Sequence, residues 1–112
     1  MYKRVDANMF AKKLIEMEDD SSVVFATACE KKMEIGETDG DEDAFHYFYY
    51  AKKVWEKQYD SWYIVIDYMT SGEAHVIPLR FCRDNENLAE VLKHVQQFMQ
   101  DWIPEIYLEV EE

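Results

Sequence analysis

The sequence has little of what most site chemistries and export routes require. Its 112 residues include two cysteines, Cys29 and Cys82, three glycines and two prolines. Two cysteines are too few for a disulfide scaffold, and the scattered glycines leave no glycine-rich loop that would cradle a phosphate. No apolar run approaches the roughly 20 residues of a membrane-spanning helix. Because the opening MYKRVDANMF lacks the apolar segment of a secretory signal, we expect a cytoplasmic protein with reduced thiols.

Positive charge is scarce as well. The chain has 12 basic residues against 24 acidic ones, so its formal net charge is −12. Nucleic acids and anionic membranes are bound through basic surfaces, so this balance disfavours both as direct partners. Such a surplus keeps a protein dispersed in solution, and it also suits a surface that binds a basic protein.

Motifs for catalysis or metal binding are not found in the sequence. Among His46, His75 and His94 no pair has the four-residue spacing of a helical zinc site, and there is no CxxC motif. Neither cysteine lies in a segment typical of a catalytic nucleophile, and cysteine is most often a small core residue. We therefore expect no catalytic residues, no metal and no other cofactor.

An acidic loop at 37–43, ETDGDED, raises the question of a calcium site. An EF-hand loop that begins at Asp39 requires glycine at its sixth position and glutamate at its twelfth. The chain has Ala44 and Tyr50 at those positions, so the pattern fails twice. A solvated acidic turn is the better interpretation.

The strongest structural signal is a hairpin over residues 61–82. Two alternating apolar runs, SWYIVIDYM and EAHVIPLRFC, flank a turn at Ser71 and Gly72. Alternation puts one set of side chains on a core face and leaves a mixed second face. The predicted core-face pairs are Trp62 and Phe81, Ile64 and Leu79, Ile66 and Ile77, and Tyr68 and His75. Because Pro78 has no N–H to donate, we expect the second strand to lie at a sheet edge.

Two amphipathic helices are predicted. The first covers residues 5–17 with Asp6 as its N-cap, and the second covers 86–102 after a cap at Asp84 or Asn85. The apolar stripe of the second helix consists of Leu88, Val91, Leu92, Val95, Phe98, Met99 and Trp102. This stripe suits the core face of the hairpin.

Two segments fit either a strand or a helix. Residues 22–35 begin with alternating β-branched and aromatic side chains, which favours a strand to about Glu30, whereas Gly36 would close a helix. In residues 44–55, AFHYFYYAKKVW, the density of aromatic residues favours a strand, and a helix with an interrupted apolar stripe is the alternative. The tail 104–112 forms either a last strand or an acidic extension.

The sequence thus predicts one α+β domain over residues 1–112. Its antiparallel sheet has three to five strands, and both helices pack on one face of that sheet. If 44–55 is a strand, both of its faces are aromatic, and helices on one side cannot cover them all. We therefore expect some of its tyrosines to stay accessible, and tyrosine is a common interface residue.

These features favour a non-enzymatic, acidic protein-binding module whose partner has a basic surface. In composition the chain is similar to phage-encoded inhibitors of host nucleic-acid enzymes, such as anti-CRISPR proteins and glycosylase inhibitors. The resemblance implies a small inhibitor that mimics DNA and binds a nucleic-acid-binding host protein. Carboxylates would meet basic side chains of the partner, and aromatic rings would supply desolvated contact area. The predicted partner-binding residues are Glu37, Asp39, Asp41, Glu42, Asp43, Tyr47, Tyr49 and Trp55.

Two other hypotheses stay open. The chain could be a structural or oligomerising accessory protein that uses a sheet edge or the second face of the hairpin. It could instead be a small ligand-binding domain or enzyme, for which a deep apolar pocket with a convergent histidine or cysteine would be the sign.

Overall fold

The computed structural model describes residues 1–39, 44–58, 60–68, 76–82 and 88–110. In chain order the elements are β1 (Tyr2–Val5), α1 (Ala7–Glu16), β2 (Ser22–Cys29), β3 (Thr38–Asp39), β4 (Phe45–Glu56), β5 (Ser61–Tyr68), β6 (Val76–Cys82), α2 (Leu88–Asp101) and β7 (Ile106–Glu109). The strands form one seven-stranded sheet in the order β3-β1-β7-β2-β4-β5-β6, and neighbouring strands are antiparallel. Outside the described residues lie the predicted hairpin turn at Ser71 and Gly72, the predicted pair at His75 and the predicted cap at Asp84 or Asn85.

The predicted α+β class is confirmed, together with the antiparallel sheet and the two helices. Five of the strands are the predicted ones, including β7, where the tail forms a strand and not only an acidic extension. The sheet exceeds the predicted three to five strands because it also contains β1 and the two-residue β3. A two-residue strand is too short to show alternation, and β1 is missed because its last residue, Val5, fits the apolar stripe of the predicted helix 5–17.

Both helices pack on one face of the sheet and enclose its main core. The predicted stripe of α2 contributes Val91, Val95 and Phe98 as buried residues, whereas Leu88 and Trp102 at its ends are exposed. The stripe is therefore longer than the surface it covers. The buried residues of this core are Val5, Phe10, Ala11, Leu14, Met17, Phe25, Ala51, Ile64, Ile66, Val91, Val95, Phe98, Ile103, Ile106 and Leu108.

The chain enters α1 directly from a strand. Val5 pairs with Ile106 across β1 and β7, so the helix begins at Ala7 and not at the predicted residue 5. Asp6 is the N-cap as predicted, because its Oδ1 accepts a hydrogen bond from the Met9 backbone N–H at 2.8 Å.

The segment 44–55 forms a strand, not the alternative helix. β4 pairs with β2 along one edge and with β5 along the other, so its backbone groups are satisfied by two ladders. The segment 22–35 also begins as a strand, which ends at Cys29. Ala28, just before that end, has a φ of 57°, and this left-handed conformation disturbs the side-chain alternation of β2.

A second, smaller core lies on the opposite face of the sheet. Tyr2, Phe45 and Tyr107 pack together there, with ring centroids 5.0 Å apart for Tyr2 and Phe45 and 4.9 Å apart for Phe45 and Tyr107. The irregular segment 30–37 contributes the buried Met33 to this cluster. One half of the second face is therefore covered by a loop and not by a helix.

Arg4 ties this loop to the sheet. Its backbone N–H donates to the Glu37 carbonyl at 3.0 Å, and its guanidinium donates to the Met33 carbonyl. The guanidinium also lies 3.9 Å from the Glu105 carboxylate. Burial, together with the hydrogen bond that its hydroxyl donates to Glu105 at 2.9 Å, raises the pKa of Tyr107.

The hairpin of β5 and β6 has the predicted pairing near its turn and a different one farther away. Ile66 pairs with Ile77 as predicted, but beyond a bulge the register shifts, so that Ile64 pairs with Phe81. The shift falls at the level of Pro78, which has no N–H to offer to a ladder. β6 is the last strand of the sheet, which confirms the edge position predicted from this proline.

Val95→Asp is expected to unfold the protein. Val95 is completely buried between α2 and the sheet, so a carboxylate there would lose its hydration. Desolvating an unpaired charge costs several kcal/mol or more, which is comparable with a total stability of about 5–15 kcal/mol. Thermal unfolding followed by circular dichroism measures the effect, and Gln96→Asp, at the exposed next position of the helix, is the control. A Val95→Asp protein with the wild-type melting temperature would contradict this packing of α2.

Candidate functional site

Two of the five predicted acidic residues, Glu37 and Asp39, lie at the β3 edge of the sheet. Glu37 is exposed, and its Oε2 accepts a hydrogen bond from the Glu34 backbone N–H at 2.8 Å. Asp39 is in β3 and pairs with Tyr2 of β1. Outside the described residues lie the other three predicted acids, Asp41, Glu42 and Asp43.

The three predicted aromatic residues share one side of β4 but do not form one surface. Tyr49 packs against the main core, with its ring stacked on that of Phe25 at 5.5 Å, whereas Tyr47 and Trp55 are each 47% exposed. Tyr47 and Trp55 are separated by about 26 Å at ~3.3 Å per residue. The β3 edge is four strands from β4, or roughly 19 Å at ~4.8 Å per strand. The predicted binding residues are thus dispersed, and their binding role stays a prediction.

A different acidic group lies near the exposed Trp55. The turn between α1 and β2 carries three exposed side chains, Glu18, Asp19 and Asp20. The turn is closed by Ser21, whose backbone N–H and hydroxyl both donate to the Glu18 carbonyl, at 3.2 and 2.5 Å. Asp20 adopts a φ of 60°, a conformation that aspartate tolerates better than most residues.

Lys53 of β4 holds this turn against the sheet. Its side chain is 1% exposed, and its Nζ donates a hydrogen bond to the Met17 carbonyl at 2.5 Å, at the C-terminal end of α1. The same Nζ lies 3.8 Å from Asp19 Oδ1, and the Lys53 backbone N–H donates to the Ser21 carbonyl at 3.0 Å. The helix dipole and the carboxylate both stabilise a cation here, which offsets the cost of burying it.

β4 continues past Lys53 and presents Trp55 at this end of the sheet. Trp55 lies two residues beyond Lys53 on the same side of the strand, about 7 Å along it. Glu56, the last residue of β4, lies at this end on the opposite side of the strand from Trp55. The turn that follows adds Asp60, which also has a positive φ, of 52°. We call this surface the acidic end; its members are Trp55, Glu18, Asp19, Asp20, Glu56 and Asp60.

The acidic end has a local excess of negative charge. Its five carboxylates are opposed by three lysines: Lys57, Lys53, which is buried beneath the turn, and Lys13, which lines a cavity together with Glu18. Carboxylates within a Debye length of about 8–10 Å of one another add their potentials, so cations are concentrated near such a surface. The arrangement supports electrostatic attraction of a basic group, together with burial of an indole ring.

Sequence reasoning selected Trp55 and missed the acids that accompany it. The run EMEDDSS at 16–22 carries three of them, and its local signal is only that a helix ends there, because carboxylates oppose the dipole at a helix C-terminus. Their position beside β4 depends on the long-range pairing of β2 with β4, which no local pattern reveals.

Comparison with known proteins gives no guide to this surface. No protein-family model, curated protein or solved structure matches the chain. Among the residues that the structure describes, no three histidine, cysteine, aspartate or glutamate side chains are grouped so that they could hold a metal ion. Within the same part of the chain, neither helix is long and apolar enough to cross a membrane.

Replacing Lys53 with methionine is expected to lower the free energy of unfolding by about 1–3 kcal/mol, because the Met17 carbonyl loses its buried donor. The matched control is Lys52→Met at the next position, where the half-buried Nζ lies 5.1 Å from the centroid of the Tyr50 ring. We expect that change to cost less than about 1 kcal/mol. Urea unfolding compares the two variants. Wild-type stability of Lys53→Met would mean that the ammonium group does not hold the end of α1.

Proposed function

We propose that this protein is a non-enzymatic, acidic protein-binding module that uses the acidic end to engage a basic surface of its partner. One observation carries the proposal: an exposed tryptophan, Trp55, lies at the same end of the sheet as five carboxylates. The contacts of Lys53 hold part of that group in place before any partner arrives.

The two kinds of side chain contribute differently to binding. Tryptophan is among the residues that most often dominate the free energy of an interface once a partner excludes water from it. The surrounding carboxylates act mainly on the association rate, because a complementary field steers a basic partner toward the surface. Such an interface is expected to weaken as salt is added.

In its sharper form, the proposal is that the module inhibits a nucleic-acid-binding protein by mimicking DNA, as the anti-CRISPR and phage inhibitors of similar composition suggest. Duplex DNA carries one negative charge per ~1.7 Å of helix axis, so five carboxylates correspond to about 9 Å of duplex. The acids of the β3 edge, Glu37 and Asp39, would extend the array if the partner surface is broad. Displacement of the module from its partner by DNA distinguishes this form from other acidic binders.

Neutralising the acidic end tests the proposal. Three isosteric changes, Glu18→Gln, Asp20→Asn and Asp60→Asn, remove charge while asparagine accommodates the positive φ of both aspartates. A matched control removes as many charges from exposed positions elsewhere, through Glu30→Gln, Glu34→Gln and Glu90→Gln. With a partner captured from bacterial lysate and then purified, we expect the first triple variant to associate about tenfold more slowly than the control, with a flatter salt dependence.

This assay distinguishes binding through the acidic end from a general effect of the protein's negative charge. Equal effects of the two triple variants would show that the acidic end is not the binding surface. The same assay with Trp55→Ala should lower affinity by about tenfold or more, whereas Trp102→Ala, at a position that is 59% exposed, should have little effect.

Assembly with other copies is the second candidate, and the open half of the second sheet face favours it. In the part of the chain that the structure describes, no helix covers this half. Apolar surface on one side of a sheet is a common interaction surface. The half-buried side chains there are Val24, Tyr50, Lys52, Val54, Tyr63 and Val65.

If this face mediates assembly, light scattering should show a mass that rises with protein concentration. Val65→Glu should then restore a monomer, because it buries a carboxylate in the interface, whereas Ile35→Glu, at an exposed position elsewhere, should not. A wild-type mass that is monomeric at all concentrations would contradict the assembly role.

A further inference from the structure

A groove of about 280 Å³ lies along α1, between the helix and strands β1 and β7. Val5 and Leu108 form its buried floor, and Met9 and Val110 add partly buried apolar surface. The groove exists because α2 packs toward α1 and β6, which leaves the β1 side of α1 uncovered by the second helix.

Three lysines surround this groove. Lys3 is half-buried, and Lys12 and Lys13 are exposed. None of the three forms an ion pair or a side-chain hydrogen bond with another described residue. These three lysines are a quarter of the 12 basic residues in a chain that has 24 acidic ones.

We propose that the groove binds a medium-chain carboxylate, with the carboxylate among the lysines and the alkyl chain on the apolar floor. Ammonium groups around an apolar floor match a ligand that has one charged end and one apolar end. At roughly 30 Å³ per water-sized group, the groove has room for about nine non-hydrogen atoms, which is close to the size of octanoate.

The charges at the groove also select against other anions. Glu16 and Glu109 line it together with the lysines, so the local excess of positive charge is small. A singly charged head group matches this small excess, whereas a phosphate or a polyanion would carry negative charge that the excess does not compensate, in a chain whose net charge is −12. This ligand is independent of the partner proposed for the acidic end.

Titration of the ¹⁵N-labelled protein with octanoate, followed by NMR, tests the site. We expect the largest amide shifts at groove residues such as Val5, Met9 and Val110. The double variant Lys12→Gln/Lys13→Gln should bind octanoate at least about threefold more weakly. The matched control, Lys57→Gln/Lys93→Gln, changes two exposed lysines elsewhere and should bind as the wild type does.

Two further probes make the result decisive. Octanol lacks the charge and butyrate lacks the chain, so both should bind more weakly than octanoate. Val110→Trp should block the groove without changing the melting temperature, because Val110 is only partly buried. The proposal is overturned if octanol binds as well as octanoate, if Lys12→Gln/Lys13→Gln binds like the control, or if the shifts lie outside the groove. Tighter binding of an acidic peptide than of octanoate would also overturn it.

Discussion

The ammonium group of Lys53 lies where three parts of the fold meet. It is buried, it donates to the last turn of α1 through the Met17 carbonyl, and it pairs with Asp19 in the turn that follows. The backbone of the same residue bonds Ser21, immediately before β2. Since α1 and β2 are joined by only a few residues, fixing this turn also fixes where the helix ends and where the pairing of β2 with β4 begins. The exposed acids of the turn and Trp55 are brought to one end of the sheet by the same contacts.

The chain has few basic residues, and two of them hold irregular segments of the backbone against the sheet. Lys53 donates to the Met17 carbonyl on the helix side of the sheet, and Arg4 donates to the Met33 carbonyl on the opposite side. Each also lies near a carboxylate, Asp19 for Lys53 and Glu105 for Arg4. The two sheet faces are thereby closed in different ways, one by two helices and the other partly by the loop 30–37. Acidic residues outnumber basic ones by 24 to 12, and the proposed binding role draws on that imbalance.

The sequence predicts those parts of the fold that depend on local patterns. The stripe of α2, the cap at Asp6, the core face of β5 and the edge position of β6 follow from periodicity, capping and proline chemistry. β3 escapes prediction because a two-residue strand is defined only by its partner, and β1 escapes it because Val5 also fits the stripe of the predicted first helix. The sequence also does not predict the burial of Lys53. A lysine after an aromatic run is normally solvated, and only the long-range placement of α1 over β4 makes Lys53 a buried donor. Trp55 could be selected as an exposed aromatic residue, but three of its acidic neighbours come from residues 18–20, more than thirty residues away.

The most direct test is to measure the electrostatic environment of Trp55 by fluorescence quenching, which requires no partner. Replacing the other two tryptophans, Trp62 and Trp102, with phenylalanine leaves Trp55 as the one fluorescent indole, and caesium and iodide ions then serve as quenchers of opposite charge. Each quenching constant is scaled to the constant of the same ion for free tryptophan. On this scale we expect caesium to quench Trp55 more strongly than iodide, because the carboxylates concentrate cations around it. The preference for caesium should become smaller when Glu18, Asp20 and Asp60 are neutralised together. It should also be smaller in a protein whose one tryptophan is Trp102. Equal quenching of Trp55 by the two ions would contradict the acidic end and, with it, the proposed mode of binding.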